Sequence, residues 1–337
     1  MMRRTLSLAV GLMISASAAF ASDAPGLSEF QIDGPRPTEA HLMYPTASDG
    51  PTTGFGGNKV WQATDVQFDA PIDGADLPLV VMSHGMYGNR YNQVWLAREL
   101  VKAGYAVVAL NHPGTSSFSR ERALSRQHWE RPADLGRAID AVLANPDWAA
   151  AIDDRSIFAI GHSLGGHAVL AAAGARFDAD QMAAFCADAR AIACNAFEVL
   201  GLSVDDREAL GADLTEPRLK GIVSLDPGGT FGFTDASLAA LNLPTLLISA
   251  GRTPEQLNAV IESDRVAELV LAEVMTYLPM PEAGHFDFLG TCTEGGLDIL
   301  KAYEPDDVYV CESGRDARTA IHQQAATAIL GFLDQHR

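Results

Sequence analysis

Short apolar runs alternate with helix-like segments from residue 77 to the end of the chain. Six of these runs are four or five residues long and rich in Val, Ile and Leu, as buried strands are. They cover 79–82, 106–110, 157–160, 222–225, 245–249 and 274–278. Strands that alternate with helices form parallel sheets covered on both faces. The pattern predicts an α/β fold with a mostly parallel sheet of about eight strands.

Two segments show the period of a helix that lies on a sheet, with apolar residues at three- and four-residue steps. They are Leu135, Ala138, Ile139, Val142 and Leu143 in one segment, and Ile321, Ala325, Ala328, Ile329 and Phe332 in the other. No internal repeat, linker or low-complexity block interrupts the alternation. We therefore expect a single catalytic domain.

Two segments depart from the alternation. Residues 22–76 are rich in Pro, Gly and Thr and contain strand-like pieces at 41–44 and 60–68, which we interpret as edge strands. Residues 176–217 form a polar and alanine-rich insert, with helical pieces near 179–186 and 205–211. Inserts of this length are usually functional or carry their own structure. Either a small helical lid or an inert excursion fits the sequence.

The first 21 residues have the pattern of a signal peptide. Arg3 and Arg4 precede a short apolar run, 6–20, which closes on a small-x-small sequence ending at Ala21. A first buried helix or a membrane anchor would also be apolar, but the short run and the polar residues after it favour export. We predict a signal peptide at 1–21 and a periplasmic or secreted protein.

The balance of charge is acidic. The chain has 24 basic and 43 acidic residues, a net charge of −19. Loss of the predicted signal peptide removes Arg3, Arg4 and no acid, which leaves 22 bases, 43 acids and a net charge of −21 over 22–337. Such a surface repels nucleic acid and anionic membranes. The acidic charge therefore leads us to expect no nucleic-acid partner. No later stretch approaches eighteen consecutive apolar residues, so we also expect no transmembrane segment.

The four cysteines predict two disulfides in an exported chain. No pair has the C-x-x-C spacing of a zinc or redox site, and three pairings are possible. We favour Cys186–Cys194 and Cys292–Cys311, because the members of each pair are near in sequence and each pair closes its own loop. Four buried thiols would be the better interpretation only without export.

A serine lies among glycines where the run 157–160 ends, in FAIGHSLGGHAVL. Gly161, Ser163 and Gly165 match G-x-S-x-G, in which a sharp strand-to-helix turn exposes the serine oxygen. The small apolar residues of 168–173 are typical of the helix that follows such a turn. We therefore interpret Ser163 as a nucleophile rather than as part of a Gly-rich turn.

A nucleophilic serine requires a histidine base and an acid, in the chain order Ser, acid, His. His285 lies in a loop after the run 274–278, at the strand end where such sheets place their active sites. His322 falls inside the last helix and is interpreted as a surface residue. His162 and His167 flank the serine and are expected to pack or to face solvent. We predict His285 as the base.

The acid is predicted from strand ends. Asp226 directly follows the run 222–225, so that a short, rigidly placed carboxylate can reach the imidazole. Glu255 is the alternative, but it lies in a loop five residues past the run 245–249. Asp287 is too close to His285 and is interpreted as a loop cap. We predict Asp226 as the acid.

The developing oxyanion requires two preorganised N–H donors. One is expected to be the backbone N–H of Leu164, next to the serine. The other is expected from the His84-Gly85 turn after the run 79–82, where the backbone N–H of Met86 is the candidate. No dinucleotide fingerprint, P-loop or metal-spaced cluster is visible, and the Gly-rich DPGGTFGF lacks a following Lys. We expect no cofactor and no metal.

Four stretches in this order, LPLVVMSHGMYGNR, FAIGHSLGGH, GIVSLDPGG and PEAGHFDFLGTC, resemble a bacterial family of α/β-hydrolases. The family is often called predicted dienelactone hydrolases and is related to plasma platelet-activating factor acetylhydrolase. The resemblance runs from about residue 41 to the C-terminus. It implies an α/β-hydrolase fold with nucleophile, acid and base at Ser163, Asp226 and His285.

The sequence therefore predicts an exported, cofactor-free serine hydrolase that cleaves carboxylic esters of small-molecule or lipid-like substrates. A phospholipid or polyester deacylase acting at an interface is the alternative within this class. A binding protein on the same fold without catalysis is the alternative outside it. Peptidase and acyltransferase chemistry could use the same three side chains.

Overall fold

The computed structural model describes residues 24–188, 191–251 and 257–337. The predicted signal peptide and Glu255 lie outside these residues. The strands are β1 Gly26–Ile32, β2 Thr38–Tyr44, β3 Thr53–Phe55, β4 Thr64–Phe68, β5 Leu77–Ser83, β6 Ala106–Leu110, β7 Ile152–His162, β8 Leu219–Leu225, β9 Thr245–Ala250 and β10 Met275–Met280. All six strands predicted after residue 77 are present, with slightly different ends.

The strands form one sheet in the order β10-β9-β8-β7-β5-β6-β2-β1-β4-β3. From β10 to β6 every neighbouring pair is parallel. The N-terminal strands bring in the antiparallel pairs β2–β6, β1–β2 and β3–β4, whereas β1 and β4 run parallel. The predicted α/β fold with a mostly parallel sheet is confirmed, but the described residues contain ten strands rather than about eight.

The prediction that the two N-terminal strands lie at edges was wrong. β2 lies between β6 and β1, β4 lies between β1 and β3, and the edges of the sheet are β3 and β10. β2 pairs with β1 in a hairpin and with β6 on its other side. The pairing of β2 with β6 joins distant parts of the chain, so the composition of the segment does not reveal it. The predicted second piece also starts late, because β4 begins only at Thr64.

Helices cover both faces of the sheet. The α-helices are α1 Val94–Lys102, α2 Arg122–Ser125, α3 Arg131–Ala144, α4 Pro146–Ala149, α5 Leu164–Ala172, α6 Ala179–Asp188, α7 Ile192–Leu200, α8 Arg207–Leu210, α9 Asp235–Ala239, α10 Ser263–Leu269, α11 Gly296–Tyr303 and α12 Arg315–His336. Short 3₁₀ helices occur at His128–Glu130, Val204–Asp206, Thr230–Gly232, His285–Phe288 and Pro305–Cys311.

The protein has two apolar cores, one on each face of the sheet, and alternate side chains of β5 point into one or the other. Leu79 and Val81 pack with α3 and α5 on one face, and Val80 and Met82 pack with α1 and α12 on the other. This follows from the two-residue period of a strand. The apolar stripes predicted for the segments that form α3 and α12 are largely buried in these cores, which confirms both helices.

The insert 176–217 contains α6, α7 and α8. α6 and α8 match the predicted helical pieces, whereas α7 was not predicted. A disulfide joins Cys186 of α6 to Cys194 of α7. A second disulfide joins Cys292 to Cys311, so both pairings expected from the sequence are present.

No helix within the described ranges combines the length and the apolar character needed to cross a membrane. The longest of them, α12, spans 22 residues and has charged and polar side chains along one side.

Loss of the Cys292–Cys311 disulfide should destabilise the fold. The bond spans 19 residues, and freeing a loop of that size in the unfolded chain corresponds to about 3 kcal/mol. We expect the double variant Cys292→Ser/Cys311→Ser to lose stability by that order in urea unfolding monitored by circular dichroism. Cys186→Ser/Cys194→Ser, which opens a loop of 8 residues, should lose somewhat less. An unchanged unfolding midpoint in the first variant would contradict this.

Candidate active site

Ser163 lies alone between the end of β7 and the start of α5, in a backbone conformation with φ of 58° and ψ of −121°. The turn is possible only because its neighbours lack side chains. A Cβ on Gly161 would lie 2.0 Å from the carbonyl oxygen of Gly165, and a Cβ on Gly165 would lie 2.0 Å from that of Ser83. The G-x-S-x-G pattern therefore fits a tight strand-to-helix turn that raises the serine above the sheet.

The structure brings Ser163, His285 and Asp226 together. His285 Nε2 lies 3.0 Å from Ser163 Oγ, and His285 Nδ1 lies 2.5 Å from Asp226 Oδ2. Both ring nitrogens are therefore engaged, and the imidazole and the carboxylate are almost completely buried. A carboxylate at Nδ1 fixes the proton there and leaves Nε2 free to accept a proton from the hydroxyl.

Asp226 is held in place by the neighbouring strand. It directly follows β8, and its φ of 41° turns the chain out of the sheet. Its Oδ1 accepts a hydrogen bond of 2.8 Å from the backbone N–H of Ala250, at the end of β9. One carboxylate oxygen thus binds the sheet while the other faces His285.

The loop after β5 brings Gly85 close to Ser163, and Met86 follows it in the wall of the same cavity. A Cβ on Gly85 would lie 3.1 Å from the Cβ of Ser163, which shows how closely the loop approaches. His84 Nε2 accepts the N–H of His112, so the proton lies on Nδ1, which donates to the carbonyl of Gly85 at 2.7 Å. Because this carbonyl and the Met86 N–H belong to one peptide group, His84 fixes the direction of that N–H.

A buried polar network supports this loop from below. His112 Nδ1 donates to Asp134 at 3.0 Å, and Arg36 binds the same carboxylate at 3.1 Å. Arg131 donates to the carbonyl oxygen of His84. Burial alone would raise the pKa of Asp134, but His112 and Arg36 hold it at about 2. Burial lowers the pKa of His112 to about 4, so its ring is neutral near pH 7.

The remaining histidines near the site are structural. His162 is buried and donates from Nε2 to the carbonyl of His285 at 2.9 Å, and His167 is buried against Phe233, so both pack rather than face solvent, a choice that the sequence left open. His322 was wrongly predicted to lie at the surface. It stacks on Trp95 at 3.6 Å, because the face of α12 that carries it packs inward. Asp287 caps its loop, as predicted, by accepting the N–H of Gly284.

A cavity of about 780 Å³ opens over Ser163. Met86, Leu164 and His285 lie in its wall. Part of that wall is apolar and belongs to the insert, because α7 contributes Ile192, Ala193, Ala196, Phe197 and Leu200. The insert 176–217 therefore shapes the space around the serine and is not a remote excursion.

The sequence predictions missed Glu262, which lies 1% exposed beside the acid. Its two carboxylate oxygens accept the backbone N–H groups of Gly229 and Thr230 at 2.9 and 2.6 Å, and the hydroxyl of Thr230 at 2.7 Å. It thereby fixes the loop that continues from Asp226 past Ser163. A lone glutamate outside any motif gives no signal of such a role, since the contact spans 32 residues of chain.

A sequence model described as the alpha/beta hydrolase family matches residues 80–331, more than half of the chain. The chain belongs to the alpha/beta hydrolase family. The matched region contains the turn at Ser163, Asp226 and His285. A search of curated proteins gave no significant match.

Solved structures with a similar fold include a ferulic acid esterase from Streptomyces cinnamoneus. It is 20% identical, with a TM-score of 0.62 over 95% of this chain and 92% of that one. A dienelactone hydrolase from Anabaena variabilis ATCC 29413 is 17% identical, with a TM-score of 0.48 over 90% of this chain and 96% of that one. At this identity the first similarity establishes the fold alone.

Glu262 should make stability depend on pH. Burial raises the pKa of its carboxyl from 4.5 to about 7. Because the folded value exceeds the unfolded one, its contribution is complete below about pH 4.5 and is lost as the pH rises through about 7. The free energy of unfolding of the wild type relative to Glu262→Gln should therefore fall across this window, by up to about 3 kcal/mol. Urea unfolding at several pH values measures it, and parallel pH profiles would contradict it.

Proposed function

We propose that this protein is a serine hydrolase that cleaves carboxylic esters through an acyl-enzyme. The proposal rests on two hydrogen-bond contacts of His285. Its Nε2 lies 3.0 Å from Ser163 Oγ, and its Nδ1 lies 2.5 Å from Asp226 Oδ2. A hydroxyl, an imidazole and a carboxylate in this order supply a nucleophile, a base and an orienting acid. Membership of the alpha/beta hydrolase family supports a hydrolytic reaction.

In the first half of the proposed reaction, Ser163 Oγ attacks the acyl carbonyl while His285 Nε2 takes the hydroxyl proton. Asp226 keeps the other ring proton on Nδ1 and stabilises the imidazolium. The carbonyl oxygen becomes an oxyanion, which the backbone N–H groups of Met86 and Leu164 bind. The tetrahedral intermediate then collapses, and His285 returns the proton to the departing alcohol.

In the second half, water attacks the acyl-enzyme and His285 again takes a proton. The same two N–H groups bind the second oxyanion, and collapse releases the carboxylic acid and restores the Ser163 hydroxyl. Neither half requires a side chain at the oxyanion site. Substitution at Met86 or Leu164 should therefore act mainly through the shape of the pocket.

The proposed substrate is a small-molecule or lipid-like ester whose acyl group packs on α7. The apolar residues that α7 contributes to the cavity suit an acyl chain, and Ile192 is 48% exposed at its first turn. In this proposal the insert 176–217 acts as a lid over the site. The relationship to predicted dienelactone hydrolases and to platelet-activating factor acetylhydrolase stays a prediction from the sequence motifs.

We also propose that the mature protein spans 22–337 and acts in the periplasm or outside the cell. The signal-peptide pattern at 1–21 motivates this, and the two disulfides suit an oxidising compartment.

Ser163→Ala should lower kcat for p-nitrophenyl acetate by about 10⁴-fold or more, since the nucleophile is lost. Asp226→Asn should lower kcat by about 10⁴-fold, since the imidazole would hold the wrong tautomer. Ser48→Ala is a matched control, because Ser48 lines neither large cavity and should leave the rate unchanged. Substantial turnover by folded Ser163→Ala would end the proposal.

A further inference from the structure

A second cavity, of about 790 Å³, lies next to the one over Ser163. It is bordered by the segment 54–64, by α1 and by α12. The two cavities share four lining residues, Asn58, Trp61, Asn89 and Asn92. A long ligand whose one end reaches Ser163 would therefore continue into the second cavity past these four side chains.

Two of the shared side chains present hydrogen-bond donors. Asn58 Oδ1 accepts the backbone N–H groups of Val60 and Trp61, and Asn92 Oδ1 accepts that of Asn89. These hydrogen bonds use the side-chain oxygen of Asn58 and of Asn92 and so fix the orientation of each amide group. The NH₂ groups of Asn58 and Asn92 make no hydrogen bond to any other described residue, so they remain able to donate to a ligand.

The second cavity combines amide and aromatic side chains. Its amides are Asn58, Gln62, Asn89, Asn92 and Gln323, and its aromatic rings include Phe55, Trp61, Tyr91, Trp95 and Phe118. Trp95 is fixed in place, because its Nε1–H donates to the carbonyl of Phe288 at 3.0 Å. Phe118 is 63% exposed, and its ring packs edge-to-face with that of Tyr91, with 6.2 Å between the ring centroids.

This combination matches a carbohydrate better than a lipid. A sugar ring has an apolar C–H face that stacks on aromatic rings and a rim of hydroxyls that bind amides. Among the residues that the structure describes, the charged ones that line the second cavity are Glu29, Arg98 and Glu99. One cation beside two acids, in a chain of net charge −19, gives no attraction for a polyanion. The expected ligand is therefore uncharged.

We propose that the second cavity binds a neutral oligosaccharide as the alcohol part of the ester. The inference rests on the proposed function, because Ser163 must attack the acyl group at the junction of the two cavities. The acyl group packs on α7, and the sugar extends past Trp61 towards Phe118. Binding energy from the distant sugars then helps to position the ester at Ser163.

The first experiment measures binding without catalysis. Folded Ser163→Ala is titrated calorimetrically with xylohexaose, cellohexaose and mannohexaose, and with polygalacturonate as the anionic counterpart. We expect a neutral sugar to bind at millimolar concentration or below, and Phe118→Ala in the same background to bind it about fivefold more weakly. Tyr303→Ala is the control, because Tyr303 is 81% exposed and lines neither cavity.

Tryptophan fluorescence gives a second readout. Trp61 and Trp95 line the second cavity, whereas Trp129 and Trp148 do not. The bound sugar should change the emission of Ser163→Ala, and adding Trp61→Phe should reduce that change while Trp148→Phe keeps it. With wild-type enzyme and an acetylated oligosaccharide that binds, Phe118→Ala should raise KM about fivefold with little change in kcat.

The outcomes separate this inference from the proposed function. If no neutral sugar binds, if polygalacturonate binds equally well, or if Phe118→Ala and Tyr303→Ala bind alike, the carbohydrate site is wrong even when Ser163 is the nucleophile. A preference for micellar lipid esters that Phe118→Ala leaves unchanged would also overturn it. If Ser163→Ala still hydrolyses p-nitrophenyl acetate, the proposed function fails, whatever the binding data show.

Discussion

The site depends on one backbone constraint, the single-residue turn between β7 and α5. It requires Ser163 in a left-handed conformation and no side chain at Gly161 or Gly165, because each added Cβ would lie 2.0 Å from a carbonyl oxygen. The close approach of α5 to the end of β5 also sets the distance to the loop that carries Met86. The raised hydroxyl of Ser163 and the close approach of the Gly85 loop thus follow from the same packing.

Buried polar residues hold the loops around this turn. Asp134 and Arg131 lie under the loop of His84, and Glu262 lies under the loop that follows Asp226. Burying such groups is unfavourable unless they are hydrogen-bonded, and each of the three has several partners. The loops therefore keep one arrangement, which a site that binds a transition state requires.

Much of the site could be predicted because its signals are local. Asp226 directly follows an apolar run, Ser163 lies in the turn at the end of another, and His285 lies in the loop after a third. Parallel strands bring their carboxyl ends to one edge of the sheet. The place of β2 could not be predicted, because strand order depends on pairing between distant segments. His322 and Glu262 were missed for a related reason: nothing in a helical period or a lone glutamate indicates stacking on Trp95 or contact with Thr230. α7 was missed although its buried residues Ala193, Phe197 and Leu200 recur at helical spacing.

The central claim is that Ser163 is a nucleophile activated by His285. Labelling of the folded protein with a fluorophosphonate, followed by peptide mass spectrometry, tests it most directly. One adduct is expected, on Ser163, that forms far more slowly in His285→Ala and is absent in Ser163→Ala. An unlabelled Ser163 in folded wild-type protein, or equal labelling in His285→Ala, would contradict it.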